Sequence, residues 1–170
     1  MTHPDLTRIP EWYHGYIRQV EPADLKEVLK KQHISFAGFL KNIPPEKRDY
    51  RYAEGKWSIR EVIQHILDAE RVFAYRALCI ARGEKQPLPS FDENDYAAQS
   101  DASDRSWESL EEEFKAVRLS TEILFNSFNE EKLEKTGIAS GWPVYVRGIG
   151  FIIAGHLQHH WTILKEKYLG

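Results

Sequence analysis

The stretch WSIREVIQHILDAERVFAYRALCIARG, residues 57–83, carries a full set of helix signals. Ser58 can cap the first turn, and Glu61, three residues later, can complete a capping box with it. Apolar residues then recur at helical spacing, and Gly83 suits the left-handed position that often follows a last helical turn. The stretch therefore predicts a long amphipathic helix whose apolar face needs partners.

Three further segments of similar length show the same periodicity. They run from about Pro22 to Ile43, from near Ser106 to Phe128, and from just after SGWP (140–143) to about Tyr168. No strand-like alternation competes with them. Helices of roughly 20 to 25 residues are each about 30–37 Å long. The sequence therefore predicts an all-α fold, a four-helix bundle.

The connection between the second and third predicted helices, residues 84–105, is long for a compact bundle. A crossover of this length lets the two helices run in the same direction instead of forming a hairpin. Its acidic sequence FDEND, residues 91–95, favours a cover over one end of the bundle, where a substrate would enter. The alternative is that the connection contacts a second subunit.

The composition is that of an ordinary globular protein. The chain has 170 residues, of which 42% are hydrophobic and 29% charged, so we expect one domain over residues 1–170 with an N-terminal arm, residues 1–20, packed on it. The net charge of −3 gives no reason to expect nucleic acid or an anionic membrane as a partner. No secretory signal or membrane-spanning run is visible, and we expect a cytoplasmic protein.

Three of the seven histidines lie in the sequence AGHLQHHW, residues 154–161. On a helix, His156 and His160 are about 40° apart around the axis and one turn apart along it, in the middle of the apolar stripe. His159 falls at the edge of that stripe. Two histidines at positions i and i+4 can bind one metal ion, which gives each buried ring a partner. The alternative is that each is a core histidine with a polar neighbour.

A third ligand would come from a facing helix. His65 lies near the middle of the helix predicted over 58–83, on the shoulder of its apolar stripe. The remaining histidines lie off a stripe's centre or in the arm: His33, His3 and His14. Cys79 is the only cysteine, which excludes a cysteine-based site. The candidate metal ligands are therefore His65, His156 and His160.

Three histidine ligands leave at least one coordination position open, as catalytic zinc sites do. A bound divalent ion lowers the pKa of a water or a thiol, so this ligand set suits hydrolysis or thiol transfer. The residue after His156 is Leu157 instead of glutamate, so the general base of the HExxH metalloproteases is absent from this helix.

Glu70 interrupts the apolar stripe of the helix predicted over 58–83. A buried carboxylate needs a charged or hydrogen-bonding partner. Glu70 therefore either supports a ligating imidazole or acts as an acid or base, or it forms a structural ion pair, with Arg76 or Arg147 as candidate partners. The catalytic residues stay unassigned.

Three stretches of this sequence resemble the DinB-like superfamily of small bacterial metalloproteins, and within it the YfiT-like metal-dependent hydrolase group. They are GKWSIREVIQHILDAERVFAYRALCIARGE (55–84), PLPSFDENDY (87–96) and AGHLQHHWTIL (154–164). The family pattern is one histidine on the second helix and an H-x-x-x-H pair on the last, matched here by His65 and by His156 with His160. The resemblance implies a four-helix bundle with a crossover and one divalent ion, zinc or nickel.

The resemblance also implies a choice of activities. Family members include S-transferases and a maleylpyruvate isomerase that use low-molecular-weight thiols such as bacillithiol, mycothiol or glutathione. We therefore expect a metal-dependent transferase of this type, or a hydrolase, acting on a small molecule, and a homodimer is a candidate assembly. The alternative is a non-catalytic metal-binding or dimerisation module whose site is structural.

Overall fold

The computed structural model describes residues 4–170. Its helices are, in chain order, α1 (His14–Ile17), α2 (Leu25–Lys41), α3 (Ile59–Arg82), α4 (Glu93–Ala98), α5 (Trp107–Asn126), α6 (Glu130–Leu133) and α7 (Val146–Ile163). The strands are β1 (Thr136–Ala139) and β2 (Trp142–Tyr145). The four long helices α2, α3, α5 and α7 form the predicted four-helix bundle. Among the residues described, no helix has the length and apolar character needed to cross a membrane.

The ends of α3 are those that the sequence predicts. The Ser58 side chain accepts a hydrogen bond from the Glu61 backbone N–H, and the Glu61 carboxylate accepts one from the Ser58 N–H, which completes the capping box. Gly83 follows the helix with a φ of 89°, a left-handed conformation that favours glycine. The side chains of Asp24 and Ser106 cap the starts of α2 and α5.

Helices α3 and α5 run in the same direction. At their starts the Arg60 guanidinium lies 5.8 Å from the Trp107 ring, and at their ends the Arg82 guanidinium lies 5.8 Å from the Phe128 ring. Residues 84–105 form the crossover that this parallel arrangement requires. The crossover contains α4, which packs on α3.

A short hairpin corrects the expectation that the chain has no strands. β1 and β2 pair antiparallel, and the turn between them places Ser140 at a φ of 54° and Gly141 at 81°. Two successive positive φ angles are typical of the tight turn that matches the twist of a hairpin. The last long helix consequently begins at Val146, later than predicted. The strands are too short to show a clear alternation of apolar and polar residues.

The arm crosses α7 at Gly155. A Cβ atom at this position would lie 2.4 Å from the carbonyl oxygen of Tyr16, so only glycine allows the two backbones to approach this closely. The close approach brings the Tyr16 ring against His156, with the ring centroids 5.6 Å apart. Gly155 therefore determines where the arm lies relative to the histidines.

A buried polar network joins all four long helices. Arg118 of α5 is 0% exposed, and its Nη2 and Nε donate to Oε2 of Glu70 in α3, at 2.8 and 3.2 Å. Nη1 of Arg118 donates to Oε1 of Gln32 in α2, at 3.2 Å. Gln32 Nε2 in turn donates to the carbonyl oxygen of Ala154 in α7, at 2.9 Å. The network fixes the four helices against one another at mid-bundle.

We predict that Gly155→Ala lowers the free energy of unfolding by about 1–3 kcal/mol, because the new methyl group forces the arm away from α7. The matched control is Gly38→Ala on α2, where a Cβ atom meets nothing within 4 Å. The control should be neutral or stabilising, since alanine favours helix more than glycine does. Urea denaturation of both variants measures the effect, and equal stabilities would contradict the close contact.

We predict that Arg118→Met alone lowers the free energy of unfolding by about 3–5 kcal/mol, because it leaves the Glu70 carboxylate buried without its cation. The double variant Arg118→Met with Glu70→Met removes both charges and should be more stable than the single variant. Guanidinium denaturation measures both. A double variant that is no more stable than Arg118→Met would mean that the two charges do not stabilise each other.

Candidate metal centre

The structure brings the three predicted histidines together. Nε2 of His156 lies 2.9 Å from Nε2 of His65 and 3.2 Å from Nε2 of His160. One nitrogen from each ring lies within 4.8 Å of the other two. Three imidazole nitrogens therefore converge on one point between α3 and α7.

The three rings come from two facing helices, α3 and α7. His156 and His160 are one turn apart on the face of α7 that packs against α3, and His65 faces them from the middle of α3. Aromatic rings hold the histidines from outside: Trp57 lies against His65 with centroids 4.8 Å apart, and Phe73 meets His156 edge-on at 6.1 Å. Aromatic packing therefore limits the orientations that the His65 and His156 rings can adopt.

Burial keeps all three imidazoles in the neutral form that binds metals. It lowers the pKa of His65 from 6.5 to about 4. Burial, reinforced by the neighbouring His65 and His159, lowers the pKa of His160 to about 3. The pKa of His156 is lowered well below 6.5, mainly by burial and then by the other histidines. At neutral pH each ring consequently offers a lone pair.

Hydrogen bonds alone satisfy this cluster poorly. His156 Nε2 lies within hydrogen-bond distance of two other Nε2 atoms, yet a neutral ring nitrogen carries either one proton or one lone pair. Zinc–nitrogen bonds of about 2.0–2.1 Å in a tetrahedral site place ligand nitrogens roughly 3.3 Å apart. The two separations that involve His156, 2.9 and 3.2 Å, are close to this value, and all three nitrogens lie within 4.8 Å of one another. The residues therefore fit one divalent ion.

His159 lies outside the cluster, at its side. Its ring contacts Tyr16, with the centroids 5.0 Å apart, and its Nδ1 lies 3.4 Å from Nε2 of Gln19. Burial lowers its pKa as well. His33 pairs with Glu122 at 2.7 Å, and His14 bonds backbone carbonyls of the arm. His3 is outside the described residues.

Glu70 does not contact the histidines through a hydrogen bond. Its Oε2 accepts from Arg118, and its Oε1 has no partner. The predicted ion pair is present, but its partner is Arg118, whereas Arg147 pairs with Glu130 and Glu134. The sequence pattern did not predict this partner. Arg118 is a charged residue within the apolar stripe of α5, just as Glu70 is within the apolar stripe of α3.

Two cavities reach the histidines from different sides. The first, of about 270 Å³, is lined by His65 and His156, by aromatic residues of the arm and of α3, and by Phe91 and Glu93 of the crossover. The second, of about 240 Å³, is lined by His160 together with Lys56, Trp57 and Asn94. The crossover contributes a wall to both cavities. Sequence reasoning missed Trp57 and Tyr16, because nothing in the pattern placed them beside a histidine.

We predict that the stability of the metal-free protein rises with pH between about pH 4 and pH 6.5. In this window the unfolded histidines, with a pKa of 6.5, bind protons that the folded His65, with its pKa of about 4, does not bind. Urea denaturation in the presence of a chelator measures the slope. The double variant His65→Gln with His160→Gln should reduce the slope, to which His156 still contributes. An unchanged slope would show that His65 and His160 are not held neutral.

Known proteins resemble this chain in sequence and in fold. A protein of Oceanobacillus iheyensis named "Putative metal-dependent hydrolase" is 28% identical over 129 residues, which cover 71% of this chain and 69% of that protein. YfiT from Bacillus subtilis, described as a probable metal-dependent hydrolase with an unusual four-helix bundle topology, superposes with a TM-score of 0.71 at 15% identity. The superposition covers 97% of this chain and 90% of YfiT.

A mycothiol-dependent maleylpyruvate isomerase shares the fold at a TM-score of 0.68 and 12% identity, over 85% of this chain and 61% of the isomerase. At these identities the two solved structures are evidence for the fold alone. The sequence profile of the DinB superfamily matches residues 29–164, which is most of the chain and includes all three histidines of the cluster. The chain belongs to the DinB superfamily.

Proposed function

We propose that this protein is a metal-dependent enzyme acting on a small molecule, with His65, His156 and His160 holding one divalent ion, zinc or nickel. The observation that carries the proposal is the convergence of three neutral imidazoles at the walls of two cavities. A divalent ion held there would activate a thiol or a water as a Lewis acid. The three side chains would hold the ion, and the aromatic rings of Tyr16, Trp57 and Phe73 would limit the access of water to it.

Thiol transfer is the favoured reaction. The two cavities meet at one histidine cluster, which suits a reaction between two substrates, a low-molecular-weight thiol and an electrophile. In such a transfer the thiol loses its proton, its sulfur bonds to the electrophilic carbon, and the bond to the leaving group breaks. Among the described residues no carboxylate is hydrogen-bonded to the three imidazoles, and Glu93, which borders the first cavity, is exposed in the crossover. No carboxylate is therefore held against the cluster as a general base for hydrolysis.

The crossover is proposed to act as a cover for the substrates. Phe91 and Glu93 border the first cavity, and Asn94 borders the second, so a movement of α4 would open both. The proposed setting is the cytoplasm, where free thiols are abundant. A homodimer is the proposed assembly, and analytical ultracentrifugation tests it.

The alternative is a metal site that only stabilises the fold. It predicts a large rise in melting temperature on zinc binding with no turnover of thiols or esters. The catalytic proposal predicts turnover of an electrophile only when metal and thiol are both present. Assays of zinc-loaded and chelator-treated protein, with and without thiol, separate the two.

We predict that each of the variants His65→Ala, His156→Ala and His160→Ala abolishes stoichiometric binding of zinc, because two imidazoles hold the ion too weakly. His159→Ala is the matched control. It should retain close to one ion per chain and change stability by no more than about 1 kcal/mol, as a residue outside the core does. Native mass spectrometry counts the ions. Loss of the ion in the His159 variant, with retention in the His160 variant, would contradict the ligand set.

A further inference from the structure

Arg76 is a buried cation without an anionic partner. It is 3% exposed, and among residues 4–170 no carboxylate lies within ion-pair distance of its guanidinium. The other buried arginine, Arg118, has Glu70 at 2.8 Å. A guanidinium keeps its charge inside a protein, and an uncompensated buried charge is strongly unfavourable. Because no described residue supplies an anion, an anion that paired with Arg76 would have to come from another molecule.

Neutral groups hold Arg76 in place. Its Nη2 donates to the carbonyl oxygen of Pro89 at 2.7 Å and to Oγ of Ser140 at 2.9 Å, while Nε has no partner. The guanidinium also lies 5.7 Å from the centroids of Phe73 and of Phe91. These contacts fix the orientation of the side chain but do not neutralise its charge. Ser140 adopts its left-handed φ of 54° at this point of contact, a conformation that is costly for a residue other than glycine.

The position of Arg76 connects it to the first cavity. Ser140, Phe73 and Phe91, which surround the guanidinium, are also walls of the 270 Å³ cavity that reaches His65 and His156. A small void of about 10 Å³ is lined by Arg76, Tyr13 and Phe73. The Phe73 centroid lies 5.7 Å from the guanidinium and 6.1 Å from the His156 ring, so the two sites are at most about 12 Å apart.

The geometry points to Arg76 as the group that recognises a carboxylate on the substrate, and this inference rests on the proposed function because it takes the first cavity as the substrate site. A rotation of Tyr13 or Phe73 would join the small void to the cavity, a side-chain change that is common on binding. The carboxylate would then accept hydrogen bonds from Arg76, while the rest of the molecule lies between aromatic rings. A planar carboxylate matches the fork of the guanidinium.

The distribution of charge supports this orientation. Glu93 is the acidic residue of the cavity lining, and it lies at the exposed end, in the crossover. An anionic group therefore meets repulsion at the mouth and attraction at the inner end. The substrate class that fits is a small molecule with one carboxylate and an apolar, preferably aromatic, body.

The test compares the binding of phenylacetate and of phenylacetamide by isothermal titration. Both probes have the same shape, and only the first carries a charge. Wild-type protein should bind phenylacetate about tenfold more tightly, as expected for a charge-assisted hydrogen bond. Arg76→Gln should abolish this preference. Arg82→Gln, which changes an exposed arginine of the same helix, should retain it.

Metal content distinguishes the two proposals. The preference should be the same in zinc-loaded and chelator-treated protein, because Arg76 is not a metal ligand. A preference that requires zinc and survives Arg76→Gln would mean that the carboxylate binds the ion, and it would overturn the inference. Protein that binds no zinc yet keeps an Arg76-dependent preference would overturn the proposed function and support the carboxylate site.

A crystal of wild-type protein soaked with phenylacetate provides a measurement that does not depend on the folding of a variant. We expect the carboxylate within hydrogen-bond distance of the Arg76 guanidinium. Density for the probe with its carboxylate elsewhere, or equal affinity for the two probes, would overturn the inference.

Discussion

The guanidinium of Arg118 has to find its partners inside the bundle, because none of its surface reaches solvent. It finds them on α3 and α2, and Gln32 extends the network to the backbone of α7 at Ala154. Ala154 is two residues before His156, and Glu70 is five residues after His65. A shift of either helix by one turn would break these bonds and leave a buried charge unpaired. The network therefore sets the register in which the histidines can meet.

The buried position of the three histidines leaves their ring nitrogens without a full set of hydrogen-bond partners. Burial opposes protonation, and the short separations between the Nε2 atoms leave few ways to satisfy all three rings with hydrogen bonds. A divalent ion would resolve this conflict by accepting one lone pair from each. Arg76, whose Nε also lacks a hydrogen-bond partner, lies three turns along α3 from His65.

Periodicity and capping signals predict much of this structure, because α3 and the histidine spacing are determined by local geometry. Ser58, Glu61 and Gly83 act as the sequence indicates, and the i and i+4 positions place His156 and His160 on one face. Contacts between distant segments cannot be predicted from such local patterns. The partner of Glu70 depends on which residue of α5 faces it. The β-hairpin depends on a turn in which Ser140 adopts a positive φ, so neither follows from a pattern along one helix.

We propose that one divalent ion binds where the three imidazole nitrogens converge. Anomalous diffraction at the zinc absorption edge, from crystals grown with zinc, tests it most directly. We expect a single strong peak per chain, about 2.0–2.1 Å from Nε2 of His65, His156 and His160. A peak ligated by other residues, or the absence of any peak between α3 and α7 in zinc-saturated crystals, would contradict it.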